Sequence, residues 1–527
     1  MSHSCTIVLV LTFALCNHAA RILVVIPTPS LSHQVVFYPL TQELAKRSHE
    51  VVVITTDPAF AKGEAPPNLT EIDIHDITYE IFRKELSTLK MGSPDKIYDH
   101  INAVYEALSK TFANIVQTDE VQNLLRLDKD YFDLLMIETL VRPALIFSYF
   151  FKAPVISISS LGAQFATYVA SGAPLHPLLY PLGNQDKIYN LSIWDQTLLL
   201  RKHIQHVALV TDYETINNDL LRKIVGPEIP TLKELMKNID MIFLNVYPIW
   251  ADNEPVPPNV IFLGGLHNTQ EIPGITKNHK TQEDKELPQD LISYLNSSKH
   301  GVVYMSLGTN VQSSQLGLQT TAMFWEVFAE LPYNFLVKWD MDNTTHPENV
   351  RLVTWVPQSN LLKHSKVKLF ITQCGLQSTD EAIVAGVPVI GIPMFIDQFY
   401  NSEKYIKHKI GLKYEIKNLT PDILKNAIRT VIEDEIYYNN VIKLRSIMYD
   451  QPQTSLERAI WWTEHVLQHG GAKHLRAPAA NTSLAECYEL ELVLICFVFL
   501  LSLFVVIFAS IYCSYKFIFM KLKRKEV

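Results

Sequence analysis

The sequence predicts an α/β protein with two doubly wound lobes that face each other across a cleft, followed by a transmembrane helix. Three observations predict this architecture. Apolar β runs alternate with helical segments in two separate stretches, a polar stretch lies between the two, and an uncharged apolar run lies near the C-terminus. The chain has 527 residues, of which 48% are hydrophobic and 19% charged, so it can form two packed cores.

The first α/β stretch begins with a strand, a loop, a helix and a second strand between residues 21 and 55. The run RILVVIP is typical of a short strand, which ends at Pro27. Apolar residues at helical spacing predict one helix from Ser32 to Arg47, and VVVIT then returns as a strand. A β-α-β unit of this size opens many doubly wound sheets, and we place the first lobe at residues 21–265.

The second α/β stretch contains five apolar β runs separated by segments that can be helical. The runs are VVYMS at 302–306, NFLVKW at 334–339, RLVTW at 351–355, LFIT at 369–372 and VPVIGIP at 387–393. Continuous apolar strands of this kind indicate a parallel sheet that is covered on both faces. We place a polar linker at 266–284 and the second lobe at 285–450.

An amphipathic helix with two tryptophans, Leu456 to Gln468, follows within the segment 451–490. Its apolar face is compatible with packing back across the other lobe and with lying on a membrane surface. The sequence leaves both arrangements open.

The two ends of the chain predict a membrane protein of the secretory pathway. Residues 6–16 form an apolar core of signal-peptide length, so we expect residues 1–20 to be removed; an uncleaved anchor is the alternative. The uncharged run Leu492 to Tyr515, within a predicted span at 491–515, is long enough to cross a bilayer core of about 30 Å. A basic tail follows at 516–527, and positive charge marks the cytosolic side. We expect a single-pass type I protein whose body is lumenal.

The last five residues, KRKEV, place lysines three and five positions from the C-terminus. This spacing resembles the dilysine signal that returns membrane proteins to the endoplasmic reticulum, which is the location we expect. A plain stop-transfer cluster is the alternative. Six Asn-x-Ser/Thr sequons lie on the lumenal side in this topology, at Asn68, Asn190, Asn296, Asn343, Asn418 and Asn481.

Charge and cysteine content exclude other classes of protein. The net charge is -8, from 46 basic and 54 acidic residues, so we expect no nucleic-acid partner. Only Cys374 and Cys487 lie outside the two apolar ends, so no disulfide framework holds the body together. The sequence leaves a homo-oligomer open.

The most informative stretch is FITQCGLQSTDEAIVAGVPVIGIPMFIDQ, residues 370–398. Its pattern predicts a strand, a tight turn and a helix that opens near Gln377. Ligands of open parallel sheets bind beyond the carboxyl ends of the strands, and a helix N-terminus at that place suits a diphosphate. Glu381 can accept hydrogen bonds from a ribose, and Asp397 with Gln398 offers an acceptor and a donor for sugar hydroxyls.

This arrangement resembles the signature of the UDP-glycosyltransferases, the family-1 enzymes of the GT-B fold, over nearly its whole length. Trp355-Val356-Pro357-Gln358 lies just upstream, as it does in that family. The resemblance covers almost the whole chain and looks closest to the insect membrane-bound members and their baculoviral relatives. It implies a GT-B fold of two Rossmann-like lobes, in which the first lobe binds the acceptor and the second binds the UDP-sugar.

The resemblance also implies roles for donor-site residues. Trp355 would stack on the uracil, and Gln358 with Glu381 would hold the ribose. Asp397 and Gln398 would bind the sugar.

For the diphosphate, the resemblance implies the turn at residues 373–378, together with Ser306 from the neighbouring strand. The turn residues assigned to donor binding are Gln373, Gly375, Gln377 and Ser378. Many family members have His-Gly-Gly where this chain has Gln-Cys-Gly. A neutral amide donates hydrogen bonds but cannot become cationic, so the phosphate contact at Gln373 differs from the family pattern.

The catalytic pair implied by the resemblance is His33 and Glu138. His33 follows the first strand at the start of the predicted helix, where a helix N-terminus disfavours the imidazolium. In the family the corresponding His deprotonates the acceptor hydroxyl, which displaces UDP from the anomeric carbon with inversion. The family supplies an Asp after the strand that reads FDLLMI here, and Glu138 stands at that place. We expect Glu138 to orient His33 and to stabilise its charge.

We expect no catalytic metal and no cofactor, with UDP-glucose as donor substrate, because a helix dipole and hydrogen bonds can stabilise the leaving diphosphate. No Gly-x-Ser-x-Gly, Walker loop or Rossmann Gly-x-Gly-x-x-Gly occurs, which argues against hydrolase, NTPase and dehydrogenase functions.

The sequence therefore predicts a UDP-glycosyltransferase that transfers a hexose to a hydroxyl of a small lipophilic acceptor. The choice of glucose rests on the insect-like resemblance. The alternative is a catalytically silent, membrane-anchored member that binds UDP-sugar as a scaffold or regulator, because of the departures at Gln373 and Glu138. Residues 60–220 show no motif that identifies the acceptor, so phenolics, other xenobiotics, steroids and pigments stay open.

Overall fold

The computed structural model describes residues 19–87, 89–271, 287–309, 311, 316–340 and 344–523. The predicted signal peptide lies outside these residues apart from its last two, as do most of the predicted linker and the last four residues of the basic tail.

The first lobe is built on a sheet of seven strands, all parallel to their neighbours. The strands are β1 (Arg21–Ile26), β2 (Glu50–Thr55), β3 (Leu69–Asp73), β4 (Leu134–Glu138), β5 (Val155–Ser159), β6 (Ile239–Leu244) and β7 (Val260–Phe262). Their order is β3-β2-β1-β4-β5-β6-β7. The order therefore reverses between β1 and β4, which is where doubly wound sheets open a crevice.

Helices cover both faces of this sheet, as its apolar strands require. They are α1 (Leu31–Gln34), α2 (Tyr38–Lys46), α3 (His75–Leu86), α4 (Ile97–Val116), α5 (Asp119–Leu125), α6 (Phe147–Phe150), α7 (Phe165–Ser171), α8 (Ile193–Ile224) and α9 (Leu232–Leu235).

The prediction of one helix from Ser32 to Arg47 is wrong, because α1 and α2 are separated by a turn. Pro39 lies in the first turn of α2 and has no N–H to continue a helix from α1. The side chain of Gln34 also donates hydrogen bonds of 2.9 and 2.8 Å to carbonyl oxygens at and just beyond the end of β1. His33 therefore lies on a helix of only four residues, which provides little of the dipole that the sequence predicted.

The second lobe has a sheet of six parallel strands. They are β8 (Val302–Ser306), β9 (Asn334–Lys338), β10 (Val350–Val353), β11 (Val367–Thr372), β12 (Val389–Gly391) and β13 (Gly411–Lys413). Their order is β10-β9-β8-β11-β12-β13, so the reversal lies between β8 and β11. The sequence analysis missed β13, which has three residues and begins with glycine.

The helices of the second lobe are α10 (Gln289–Ser297), α11 (Leu318–Ala329), α12 (Gln358–Leu362), α13 (Leu376–Ala385), α14 (Asp397–Lys407), α15 (Pro421–Glu433) and α16 (Glu435–Tyr449). Gly386 ends α13 in the left-handed conformation, with φ of 75°, as the sequence predicts.

The next helix, α17 (Ser455–His469), returns to the first lobe. Its apolar residues Leu456 and Ile460 pack in the same core cluster as Val24 of β1 and Leu40 of α2. The Arg458 guanidinium donates to the carbonyl oxygen at the end of β7 at 3.0 Å. α17 therefore packs across the first lobe, which is one of the two arrangements that the sequence left open.

The chain then runs along the first lobe before its last helix. The backbone N–H of Asn481 donates to the Val169 carbonyl oxygen in α7 at 2.8 Å, and α18 (Leu484–Cys487) follows. The final helix, α19 (Leu490–Lys523), is long and apolar enough to cross a bilayer, since it contains an 18-residue stretch with a mean hydropathy of 3.3. It extends beyond the predicted span at 491–515.

The two lobes touch beside the cleft. The ring of His100 in α4 stacks on Phe395 of the second lobe, with 4.9 Å between ring centroids. The backbone N–H of Gly92 donates to the Met394 carbonyl oxygen at 2.8 Å. These contacts place the carboxyl ends of both sheets at a shared cleft.

Candidate active site

Each lobe brings polar side chains to the two strands at which its sheet order reverses. In the first lobe, His33 follows β1, and Glu138 is the last residue of β4, which pairs with β1. In the second lobe, Ser306 is the last residue of β8, and Gln373 follows β11, which pairs with β8. Both sets lie where ligands of doubly wound sheets bind.

His33 is held by a hydroxyl from a third strand. Its Nδ1 lies 2.6 Å from Oγ of the buried Ser160, the residue after β5. Oε1 of Glu138 lies 3.7 Å from the same nitrogen, which is an ion-pair distance and too long for a hydrogen bond. In the tautomer whose Nδ1–H donates to Ser160 Oγ, Nε2 carries no proton and is the ring nitrogen that can take one.

Glu138 is buried behind His33 and is anchored to the preceding loop. The backbone N–H of Thr28 donates to Glu138 Oε2 at 3.2 Å. The contact between Glu138 and His33 is therefore electrostatic, while Ser160 Oγ is the direct hydrogen-bond partner of Nδ1. The sequence analysis missed Ser160, although a polar residue at the carboxyl end of a strand is the signal that singled out His33.

The residues predicted to hold the nucleoside form a connected set. Nε2 of Gln358 donates to Glu381 Oε2 at 2.6 Å and to Ser378 Oγ at 2.9 Å. Its Oε1 accepts from the hydroxyl of Tyr304 at 3.1 Å, and the sequence analysis missed this buried tyrosine. Trp355 lies just before α12 and is 42% exposed, so its ring face can stack on a planar base.

The turn between β11 and α13 consists of Gln373, Cys374 and Gly375. Cys374 is buried in the left-handed region, with φ of 71°. A Cβ on Gly308, whose φ is 83°, would lie 1.8 Å from Gln373 Nε2, so the turn packs against this loop only because Gly308 has no side chain. α13 begins at Leu376 with its N-terminus at the cleft, which suits an anionic group.

Ser306 and Lys338 lie beside this turn. Oγ of Ser306 accepts from the Gly308 backbone N–H at 3.3 Å, and Nζ of Lys338 donates to the Gly308 carbonyl oxygen at 3.0 Å. Burial lowers the pKa of Lys338. The sequence analysis missed this residue, which ends the apolar strand β9 and brings an amine close to Gln373, where only a neutral amide was expected.

Gln377 bridges the two lobes. Its Nε2 donates to the carbonyl oxygen of Ser160 at 3.0 Å. The amide of Gln377 therefore joins the first turn of α13 to the residue that holds His33, and Gln377 also lines the cleft.

Asp397 and Gln398 open α14 at the cleft. Oδ2 of Asp397 accepts from Nδ2 of Asn401 at 3.0 Å. Burial raises the pKa of Asp397 to about 6, and the nearby His33 of the other lobe opposes this rise. Oε1 of Gln398 accepts two backbone N–H groups, from Met394 at 2.9 Å and Phe395 at 2.8 Å, so the amide nitrogen is the group that remains for a sugar hydroxyl.

One continuous cavity of about 340 Å³ is lined by every predicted site residue except Glu138. Its first-lobe wall is mostly apolar and includes Phe82, Leu86, Ile101, Val104, Leu140, Leu161, Phe165 and Val246. Glu254 is a buried polar exception that accepts a hydrogen bond from the Tyr168 hydroxyl, and burial raises its pKa to about 7. The cavity therefore joins a polar second-lobe half to an apolar first-lobe half.

Comparison with known proteins identifies the family. The family model described as UDP-glucoronosyl and UDP-glucosyl transferase matches residues 20–527. The chain belongs to this family.

Individual relatives of the UDP-glycosyltransferase family cover most of the chain. An ecdysteroid UDP-glucosyltransferase of Spodoptera littoralis nuclear polyhedrosis virus is 36% identical, over 90% of this chain and 93% of the viral protein. UDP-glucosyltransferase 2 of Dactylopius coccus is 28% identical, over 88% and 87% of the two chains. These matches confirm the resemblance that rested on residues 355–398.

The two-lobed fold is the GT-B fold of UDP-glycosyltransferases, as predicted. The solved structure of the glycotransferase of kitacinnamycin superposes with a TM-score of 0.56 at 18% identity, and the match covers 85% of this chain and 98% of that one. Within the family frame, the structure brings the predicted second-lobe residues to one wall of the cleft and His33 to the other. The specific roles assigned to these residues stay predictions.

Proposed function

We propose that this chain is an inverting UDP-glucosyltransferase that transfers glucose from UDP-glucose to a hydroxyl of a small lipophilic acceptor. The observation that carries the proposal is the single cavity in which His33 of one lobe faces Asp397 of the other. A base and a sugar-binding carboxylate on opposite walls suit an acceptor and a donor that meet between them. The names of the viral and insect relatives support glucose as the sugar.

In the proposed reaction, Nε2 of His33 takes the proton from the acceptor hydroxyl. The acceptor oxygen attacks the anomeric carbon from the face opposite UDP, the bond from that carbon to the diphosphate oxygen breaks, and UDP leaves with the bonding electrons. The configuration at the anomeric carbon is therefore inverted. Glu138, at 3.7 Å from Nδ1, stabilises the imidazolium that forms.

The chain itself provides groups that stabilise the departing diphosphate. The N-terminus of α13, the amide of Gln373 and the hydroxyl of Ser306 all line the cavity. Hydrogen-bond donors and helix N-termini that are fixed before the reaction stabilise developing negative charge. On this basis we propose that UDP-glucose is the donor substrate and that the protein uses no further cofactor.

The acceptor half of the cavity supports a lipophilic acceptor, because apolar side chains from α3, α4 and α7 line it. Several viral relatives are named for ecdysteroids, so steroids belong in the first acceptor panel beside phenols. We further propose that α19 anchors the protein as a type I endoplasmic-reticulum protein with both lobes in the lumen, as the basic tail at 516–527 indicates.

The test is UDP release from UDP-glucose by membranes that contain the full chain, with and without a panel of phenols and steroids. We expect release that depends on the acceptor and exceeds release by membranes without the chain. The silent-member alternative predicts UDP-glucose binding without acceptor-dependent release from any member of the panel, and that result would reject the proposed transferase activity.

A further inference from the structure

Asn401 in the second turn of α14 connects two separate parts of the proposed donor site. Its Nδ2 donates to Asp397 Oδ2 at 3.0 Å and to the Cys374 carbonyl oxygen at 3.0 Å. The first contact fixes a carboxylate assigned to the sugar, and the second fixes the backbone of the turn assigned to the diphosphate. Asn401 is 4% exposed, so these bonds are shielded from water.

The remaining group of this amide is bound from the other lobe. Oδ1 of Asn401 accepts from the indole N–H of Trp250 at 3.1 Å. An amide has two N–H donors and one carbonyl oxygen. Two of these partners accept from the NH₂ group and the third donates to the oxygen, so only one orientation of the amide satisfies all three. If the amide were flipped, its NH₂ would face the indole N–H and its oxygen would face two acceptors.

Trp250 is itself firmly held between the lobes. It follows β6 in the first lobe and is 1% exposed. Its ring stacks on His408 of the second lobe, with 5.7 Å between ring centroids and an interplanar angle of 17°. Next to it, Asp252 forms ion pairs with Lys404 and Lys407 of α14. The first lobe therefore contacts α14 from Asn401 in its second turn to His408 just past its C-terminus.

We propose that Trp250 and Asn401 are positioning residues for the donor sugar, through which the first lobe completes the sugar-binding geometry of the second. The indole N–H holds the Asn401 amide, and the amide in turn holds the Asp397 carboxylate. When the lobes separate, the bond from Trp250 to Asn401 breaks and Asp397 loses its fixed orientation. This proposal rests on the proposed function, since it takes Asp397 as a sugar contact.

The experiment compares Trp250→Phe with the matched variant Trp339→Phe in the full-length protein. Trp339 is also buried, and its indole N–H donates to Thr344 Oγ1 at 3.1 Å within the second lobe. Each variant loses ring volume and one N–H donor, but only Trp250→Phe removes the link to Asn401. Dissociation constants are measured for UDP-glucose and for UDP, which lacks the sugar.

We expect Trp250→Phe to weaken UDP-glucose binding about tenfold, the effect of losing a hydrogen bond to a charged network, while UDP binding stays near the wild-type value. Trp339→Phe should keep the wild-type ratio of the two constants. Equal ratios in the two variants would overturn the positioning role. A wild-type protein that binds no UDP-sugar would instead overturn the proposed function, so the two failures are distinguishable.

A second variant covers the case in which Trp250→Phe does not fold. Asn401→Asp keeps the acceptor for the indole N–H and nearly the same volume, but it loses both donors and places a carboxylate next to Asp397. We expect it to lose at least as much UDP-glucose affinity as Trp250→Phe, and to weaken UDP binding as well because the Cys374 carbonyl loses its partner. Wild-type affinity for UDP-glucose in this variant would overturn the proposal.

Discussion

In the second lobe, the polar side chains that line the cleft bind one another before any ligand arrives, whereas the first lobe lines the same cleft with apolar side chains. Gln358 contacts Glu381, Ser378 and Tyr304 in one set of hydrogen bonds. Across the cleft, the wall consists largely of side chains such as Leu86, which make no directional contacts.

This difference suggests a separate basis of selectivity for each of the two substrates. A network of hydrogen bonds is specific for one arrangement of donors and acceptors, because a mismatched ligand leaves buried polar groups without partners. An apolar wall selects by size and shape and tolerates related molecules. On the proposed function, the second lobe would therefore select one donor, and the first lobe would accept a class of acceptors.

The largest expected effect comes from His33, the one predicted catalytic base on the apolar side. His33→Ala should lower turnover about 10²- to 10⁴-fold, because it removes the proton acceptor, while UDP-glucose affinity stays near wild type. The measurement is the steady-state rate of UDP release together with calorimetric binding. His300→Ala, an exposed residue of the second lobe, is the control. Unchanged turnover in folded His33→Ala would remove the general base from the mechanism.

The second-largest effect is expected on UDP binding, from a change in the hydrogen-bond network around Gln358. Glu381→Ala should weaken UDP binding about 10- to 100-fold, because it removes a charged hydrogen-bond acceptor and leaves Gln358 Nε2 without this partner. Asp380→Asn on the same helix is the matched control. Asp380 is buried away from the cavity wall, and burial raises the pKa of its carboxyl group. Equal losses in both variants would show that α13, and not the Glu381 carboxylate, determines UDP affinity.

The third prediction concerns the pH dependence of UDP-glucose affinity, which tests Asp397 on the polar wall of the cleft. The pKa of Asp397 is about 6 in the folded protein, so its carboxylate is ionised at pH 7 and mostly protonated at pH 5. A protonated carboxyl group accepts sugar hydroxyls poorly, so UDP-glucose affinity should fall about tenfold over this range. In Asp397→Asn the affinity should be weaker and independent of pH between these values. A pH dependence that persists in this variant would have to come from another group.

The smallest effect is expected on the apolar side. Leu86→Ala should raise the acceptor KM about fivefold, because roughly 1 kcal/mol of apolar contact is lost. The KM for UDP-glucose should not change, since Leu86 lies on the first-lobe wall. The measurement is a pair of saturation curves, one for each substrate. A change in both KM values would contradict the separation of the two halves.

The position of the second-lobe residues on one wall of the cleft could be predicted from sequence, because most of them are close together along the chain. Residues 355–398 carry a strand, a turn and a helix N-terminus in one continuous signature, and the structure places them along one wall. Local patterns of this kind contain the turn chemistry and the strand ends that fix where side chains lie. Glu138 shows what sequence alone does not give. Its strand was predicted, but the distance of 3.7 Å between its Oε1 and Nδ1 of His33 was not.

Contacts between distant segments could not be predicted. Ser160 reaches His33 from a strand more than a hundred residues along the chain, and the indole of Trp250 reaches Asn401 from the other lobe. Such pairings depend on the tertiary structure, because the sequence around one partner does not indicate which distant residue it will contact. The break between α1 and α2 is different, because Pro39 is visible in the sequence but its effect was outweighed by apolar periodicity.

The return of α17 to the first lobe determines which lobe is tethered to α19. The segment that leads to α19 is attached to the first lobe through α17 and through the bond from Asn481 to Val169. If α19 spans a bilayer, as proposed, the first lobe is the lobe tethered to it, and an opening of the cleft would move the second lobe relative to the lipid surface. On the proposed function, a lipid-dissolved acceptor would then reach the tethered lobe from the membrane, while UDP-glucose would enter from the aqueous side.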